Sequence, residues 1–235
     1  MSDYTLLKQK AYEANLQLPQ LGLVKFTFGN VSVADPEQRV FAIKPSGVEY
    51  SDLSPEKMVI VNYKNEVLQG DLRPSSDTAT HAVLYNEWNS VKSIVHTHST
   101  YATAWAQAQR AIPVYGTTHA DYSRHDIPCA APMSDEKIEG QYEYETGRQI
   151  IDHFSQAHLD PEETPMILLG NHAPFAWGSS PEKAIYNAAI LEELAKIAWL
   201  TEQINPGAAR MKESLIQKHF NRKHGAGSYY GQSKK

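Results

Sequence analysis

Residues 93–99 read SIVHTHS. Alternation along a strand puts Ile94, His96 and His98 on one face and Val95 and Thr97 on the other. Two such imidazoles stand about 7 Å apart along the strand, and both can turn toward one ion at bond lengths of ~2 Å. A bare His-x-His fits an exposed strand end with two solvated rings equally well, so the rest of the chain decides its weight. A third histidine, His172, follows Gly170-Asn171 just beyond the apolar run Met166–Leu169. Three neutral imidazoles hold Zn²⁺ and leave a fourth position open, as in catalytic sites. The same donors accept other divalent ions. The chain has 10 histidines, so three near strand ends also arise by chance.

Asp77 is the nearest candidate carboxylate. It stands where a helix begins, so it either caps that helix or serves as a weak fourth ligand displaced by substrate. His81, one turn on, reads as structural. Three short segments could form an anion site: Gly29-Asn30, Lys44-Pro45-Ser46-Gly47 and Pro74-Ser75-Ser76. They offer backbone N–H groups, an amide, hydroxyls and one ammonium, and Ser75 and Ser76 sit at a helix N-terminus. By composition each is also an ordinary turn. Asp121, after His119-Ala120, reads as a surface acid, and Tyr230, in SYYGQ, as part of a polar tail.

The elements that must position these residues follow from periodicity and breakers. A helix is expected over 3–17, ended by Pro19, and short strands at 24–28, 31–34, 40–43 and 58–62, with 67–68 as hairpin partner. A helix runs to about Glu87, and Ser99 caps another over 100–109. Residues 113–118 read as extended, 134–141 as a polar loop, and 142–153 as a helix. Strands at 166–169 and 173–177 precede the longest helix, 181–203, and a final helix spans 210–219. Without regular β-α-β alternation, the pattern favours one α/β domain of α+β character. Its centre is a mixed or antiparallel sheet with helices on its faces. No GxGxxG or GxxxxGK[ST] is present.

The 235 residues are 41% hydrophobic, which suits one sizeable core. A formal net charge of −5 argues against nucleic acid as a partner. No apolar run is long enough for a membrane span, and MSDYTLLKQK lacks the apolar core of a secretory signal. One cysteine, Cys129, fits a reducing compartment. A cytoplasmic location is the expectation.

Seven segments together carry a resemblance: GN at 29–30, KPSG at 44–47, PSSDT at 74–78, HTHS at 96–99, GTTHADY at 116–122, NHAPFAWG at 171–178 and KHGAGSYYGQ at 223–232. In this order the chain resembles the class II aldolase and adducin-like family, and within it the branch that epimerises pentulose phosphates at C4. The resemblance implies a three-layer domain spanning 1–235, whose tail from about 220 contributes to the site. It implies a homotetramer with sites between subunits. It implies zinc on His96, His98 and His172 with Asp77 beside it, and a substrate phosphate against Gly29, Asn30, Lys44, Ser46, Gly47, Ser75 and Ser76. Asp121 and Tyr230 become an acid/base pair reaching in from a neighbouring subunit, with His219 and Arg222 bordering the site.

The implied activity interconverts L-ribulose 5-phosphate and D-xylulose 5-phosphate. The C4 hydrogen is not acidic, so inversion proceeds by breaking and remaking the C3–C4 bond. Two other readings share the family: a sugar-phosphate aldolase of the fuculose or rhamnulose type, and an adducin-like binding module without chemistry. Asp77 stands where the aldolase branch shows Glu, and the binding module should lack the histidine triad.

Overall fold

The computed structural model describes residues 3–224. In chain order the elements are α1 (Thr5–Gln20), β1 (Asn30–Asp35), β2 (Val40–Ile43), β3 (Val59–Asn62), β4 (Val67–Gln69), α2 (Thr78–Glu87), β5 (Ser93–His96), α3 (Thr100–Gln107), α4 (Thr117–Ala120), β6 (Cys129–Ala130), α5 (Asp135–Glu139), α6 (Tyr142–Gln156), β7 (Met166–Leu169), β8 (Pro174–Gly178), α7 (Pro181–Ile204) and α8 (Glu213–His224). The strands form one sheet in the order β4-β3-β2-β1-β5-β8-β7-β6. Every pairing is antiparallel except β6 with β7, so the sheet is mixed.

Alternation along the strands separates two cores. Val31, Val33, Ala42, Ile60, Val95, Leu168 and Ala176 face α1, α3 and α7. Phe41, Ile43, Val61, Ile94, Ile167, Phe175 and Trp177 face α2 and α6. Each fully buried large side chain contributes roughly 1.5–3 kcal/mol, which holds three layers together without a disulfide.

Specific polar contacts fix the layers. Asn15 of α1 donates to Val31 O and accepts from Val31 N, which ties α1 to the start of β1. The carboxylate of Glu192 on α7 accepts from the N–H groups of Tyr101 and Ala102 and so caps α3. Ser99 occupies the N-cap position but makes no capping bond. Gly147 lets α6 close on α2, because a Cβ there would stand 2.7 Å from Val83 Cβ.

Four local expectations change. Residues 24–28 alternate like a strand, yet Phe28 N bonds Lys25 O in a turn, and Phe26 adopts a left-handed φ of 56°. Strand β5 stops at His96, so His98 is not placed by strand alternation. Thr117–Ala120 is a single helical turn that begins within the stretch 113–118 expected to be extended; its β-branched threonines and short length hide the helical period. Asp135–Glu139 is helical where the composition reads as loop.

Candidate metal centre and anion cavity

Register brings three chain segments to one edge of the sheet. Asn30, the first residue of β1, pairs with His96, the last of β5, and His96 pairs in turn with Phe175 near the start of β8. Antiparallel neighbours place the end of one strand beside the beginnings of the next. The β7–β8 turn lies at the same edge. Asn171 takes a left-handed φ of 62° there, and Leu169 N bonds Ala173 O. That tight turn puts the His172 ring 5.0 Å from the His96 ring, centroid to centroid. Beyond the strand the backbone still carries His98 to 5.0 Å from His96 and 5.4 Å from His172.

The three histidines offer nitrogen atoms that all lie within 4.8 Å of one another. His96 Nδ1 is 3.0 Å from Pro174 O. A carbonyl only accepts, so Nδ1 bears the hydrogen and Nε2 keeps its lone pair for an ion. The His96 ring stacks on Phe175 at 4.1 Å, which fixes its orientation. Burial lowers His172 to about 4 and holds His98 below its ordinary value. Both are neutral near pH 7, the form that ligates metal. Donor chemistry, spacing and tautomer all fit a divalent ion on His96, His98 and His172.

Asp77 stands at the N-cap position of α2 but makes no capping bond. Its Oδ2 instead accepts from Asn30 Nδ2 at 2.7 Å. The same amide donates to Ser75 Oγ at 3.1 Å, while the buried Asn30 Oδ1 has no partner among the described residues. His81 lies fully buried with Nδ1 2.7 Å from Ser32 Oγ; burial lowers it to about 3 and keeps it neutral.

These residues line a cavity of about 440 Å³. Gly29, Asn30, Lys44, Ser46, Gly47, Ser75, Ser76, Asp77, His96, His98 and His172 all border it. Two of the donor-rich turns are tied to each other: Ser46 N donates to Arg73 O and Ser75 N to Lys44 O. Gly29 has φ 77°, and a Cβ there would stand 2.8 Å from His96 O. Only glycine lets this turn lie against the strand that carries His96. Lys44 is 2% exposed, and burial lowers it to about 8 although Glu49 pulls the other way.

The structure adds Thr27, Phe28, Tyr142 and Glu143 to the cavity wall. Tyr142 opens α6, and its ring lies 6.3 Å from that of His172. No spacing rule links residue 142 to residues 96 and 172; it arrives through the packing of α6 on α2.

Asp121 is elsewhere. It follows α4 and is not among the residues bordering the cavity of its own chain. Its carboxylate accepts from Arg222 Nε at 3.0 Å and Nη2 at 2.7 Å, and lies 3.0 Å from His219 Nδ1. Partial burial opposes its charge, but Arg222 and His219 outweigh burial and hold the carboxyl below its ordinary range. Tyr230 lies outside the described residues.

Fold and site together define an α/β protein with a metal-competent histidine triad beside a polar cavity. Residues 9–199 match the Class II Aldolase and Adducin N-terminal domain, and the chain belongs to that family. Solved structures share the fold at low identity. An L-fuculose 1-phosphate aldolase superposes with a TM-score of 0.77 at 23% identity over 93% of this chain and 96% of its own. The L-fuculose 1-phosphate aldolase from Glaciozyma antarctica PI12 gives 0.74 at 18% identity over 92% and 81%. YgbL from Escherichia coli gives 0.72 at 22% identity over 91% and 97%. No helix among the described residues is long and apolar enough to cross a membrane.

Proposed function

We propose that the protein is a metal-dependent L-ribulose-5-phosphate 4-epimerase, interconverting L-ribulose 5-phosphate and D-xylulose 5-phosphate. The carrying observation is one cavity that joins His96, His98 and His172 to Asn30, Lys44, Ser46, Gly47, Ser75 and Ser76. A metal-competent triad beside a cluster of anion donors suits a phosphorylated ketose.

A divalent ion such as Zn²⁺ on the three histidines would act as a Lewis acid toward the sugar's oxygens. Lys44, the hydroxyls of Ser75 and Ser76 and the Asn30 amide hold the phosphate. That anchor matters because the reaction splits the sugar in two. As the C3–C4 bond breaks, a base takes the C4 hydroxyl proton, C4 becomes the aldehyde carbon of glycolaldehyde phosphate, and the bonding pair stays with C3 as the enediolate of dihydroxyacetone. Held by its phosphate, the aldehyde turns to show its other face. The bond re-forms, and a second group protonates the new alkoxide. Two groups on opposite sides are required, and Asp121 and Tyr230 are assigned to them. Asp121 does not border its own chain's cavity, which supports the reading that it serves a neighbouring subunit in a homotetramer.

A class II aldolase of the same family would use the same cavity and release both fragments. Incubation with L-ribulose 5-phosphate separates the two. The epimerase reading expects D-xylulose 5-phosphate without free glycolaldehyde phosphate. Stoichiometric release of glycolaldehyde phosphate would establish the aldolase instead, and no turnover of L-ribulose 5-phosphate by the metal-loaded protein would reject the epimerase reading.

A further inference from the structure

The turn at 27–29 borders the cavity but belongs to no strand. Phe26 beside it holds a left-handed φ of 56°, a conformation a bulky aromatic keeps only when its surroundings impose it. Tyr50, in the short 3₁₀ turn Tyr50–Asp52, holds the backbone that follows Phe26. Its hydroxyl shares one proton between Phe28 O at 3.0 Å and Gly29 O at 2.9 Å. Its ring face lies 5.0 Å from Lys44 Nζ. The carbonyl contacts of that ammonium are long, 3.3 Å to Thr27 O and 3.4 Å to Pro45 O. A cation held by a ring face and two stretched contacts keeps most of its donor capacity for an incoming anion.

We infer that Tyr50 is a positioning residue for phosphate binding: its hydroxyl fixes the turn at 27–29 and its ring seats the Lys44 ammonium against the cavity. The inference rests on the phosphate reading of that cavity. One side chain thereby connects two of the three anion-binding segments, and through Gly29 it also reaches the backbone beside His96. Tyr50 is 7% exposed, and burial raises its hydroxyl well above the ordinary tyrosine value, so it remains a donor at any working pH.

The test uses the full-length, zinc-loaded enzyme with Tyr50→Phe, Tyr50→Leu and Lys44→Met variants. Inorganic phosphate binding is measured by calorimetry, and KM and kcat are measured with L-ribulose 5-phosphate. Tyr50→Phe keeps the ring and loses the hydroxyl. It should weaken phosphate binding about tenfold and raise KM by a similar factor, with kcat changed less than about twofold. Tyr50→Leu loses both functions and should cost about a hundredfold. Metal content should stay at the wild-type level in each. If folded Tyr50→Phe binds phosphate like the wild type while Lys44→Met does not, Tyr50 has no positioning role and the phosphate reading stands. If Lys44→Met also binds phosphate unchanged, the phosphate reading fails and this inference with it. A fall in kcat or metal content as large as the rise in KM would mark Tyr50 as a general packing residue and overturn the proposal. Should Tyr50→Leu fail to fold, Tyr50→Phe decides alone.

Discussion

At the strand-end edge, His96 is held by ladder partners on both sides, Asn30 and Phe175, and by a hydrogen bond to Pro174 O. At the α4–α8 corner, Asp121 is held by Arg222 and His219, side chains on a helix near the end of the described chain. The first region lies between the two large cores. The second packs around a small cluster of Val114, Ala120 and Ile216. Sheet register fixes positions closely, which suits metal ligation, where bond lengths tolerate little error. Ion pairs hold the Asp121 carboxylate in a separate unit, away from the cavity of its own chain. The proposed site combines both, the metal and phosphate half from one subunit and the proton-transfer half from the next.

Breaking the histidine triad at the strand ends should have the largest effect. His98→Asn removes a proposed metal ligand without disturbing β5, which ends at His96. It should lower activity by about 10⁴-fold, since a bound ion supplies several kcal/mol of transition-state stabilisation. Chelation of the wild-type protein should do the same, and added zinc should restore turnover. Elemental analysis and steady-state rates check both points.

Changes to the proposed proton-transfer groups should cost about 10²–10⁴ in rate and leave metal content unchanged. Asp121→Asn and Tyr230→Phe each remove one proposed proton-transfer group. Loss of zinc from either variant would mean that the two regions are not separable in this way.

A smaller effect sharpens the phosphate side. Lys44→Met should raise KM for L-ribulose 5-phosphate about tenfold to a hundredfold, as loss of hydrogen bonds to a charged group does. Unmodified enzyme should turn over non-phosphorylated L-ribulose far less efficiently. Burial lowers Lys44 to about 8, so its ammonium is charged below that pH and neutral above it. Phosphate binding should therefore weaken as pH rises through about 8. The fall belongs in kcat/KM, which reports the free enzyme, and it should vanish from the profile of Lys44→Met. The smallest predicted change is in stability. Gly29→Ala places a Cβ against His96 O at φ 77° and should cost about 1–3 kcal/mol, read as a lowered denaturation midpoint.

The sequence carries these two halves unequally. His96, His98 and His172 are legible because residue type names the chemistry and apolar runs locate the strand ends. The sheet with helices on both faces follows from the same runs. Asp77 had two readings from its position; the structure decides against capping, because its carboxylate bonds Asn30. Tyr142 and Glu143 in the cavity wall, and Tyr50 against the turn at 27–29, are not legible in the sequence, since tertiary packing alone brings them there. Residues 24–28 mislead because alternation says nothing about whether a neighbouring strand exists to pair with. The role proposed for Asp121 comes only from the resemblance, and its partners Arg222 and His219 lie about a hundred residues away.

Mixed assemblies test the division of the site between subunits most directly. Inactive His98→Asn subunits and inactive Tyr230→Phe subunits are combined, and hetero-assembly is verified before assay with L-ribulose 5-phosphate. Some sites then receive an intact histidine triad from one chain and an intact tyrosine from another, so D-xylulose 5-phosphate formation should partly return. Verified mixed assemblies that stay inactive would contradict the account and place Tyr230 either within its own subunit's site or outside the chemistry altogether.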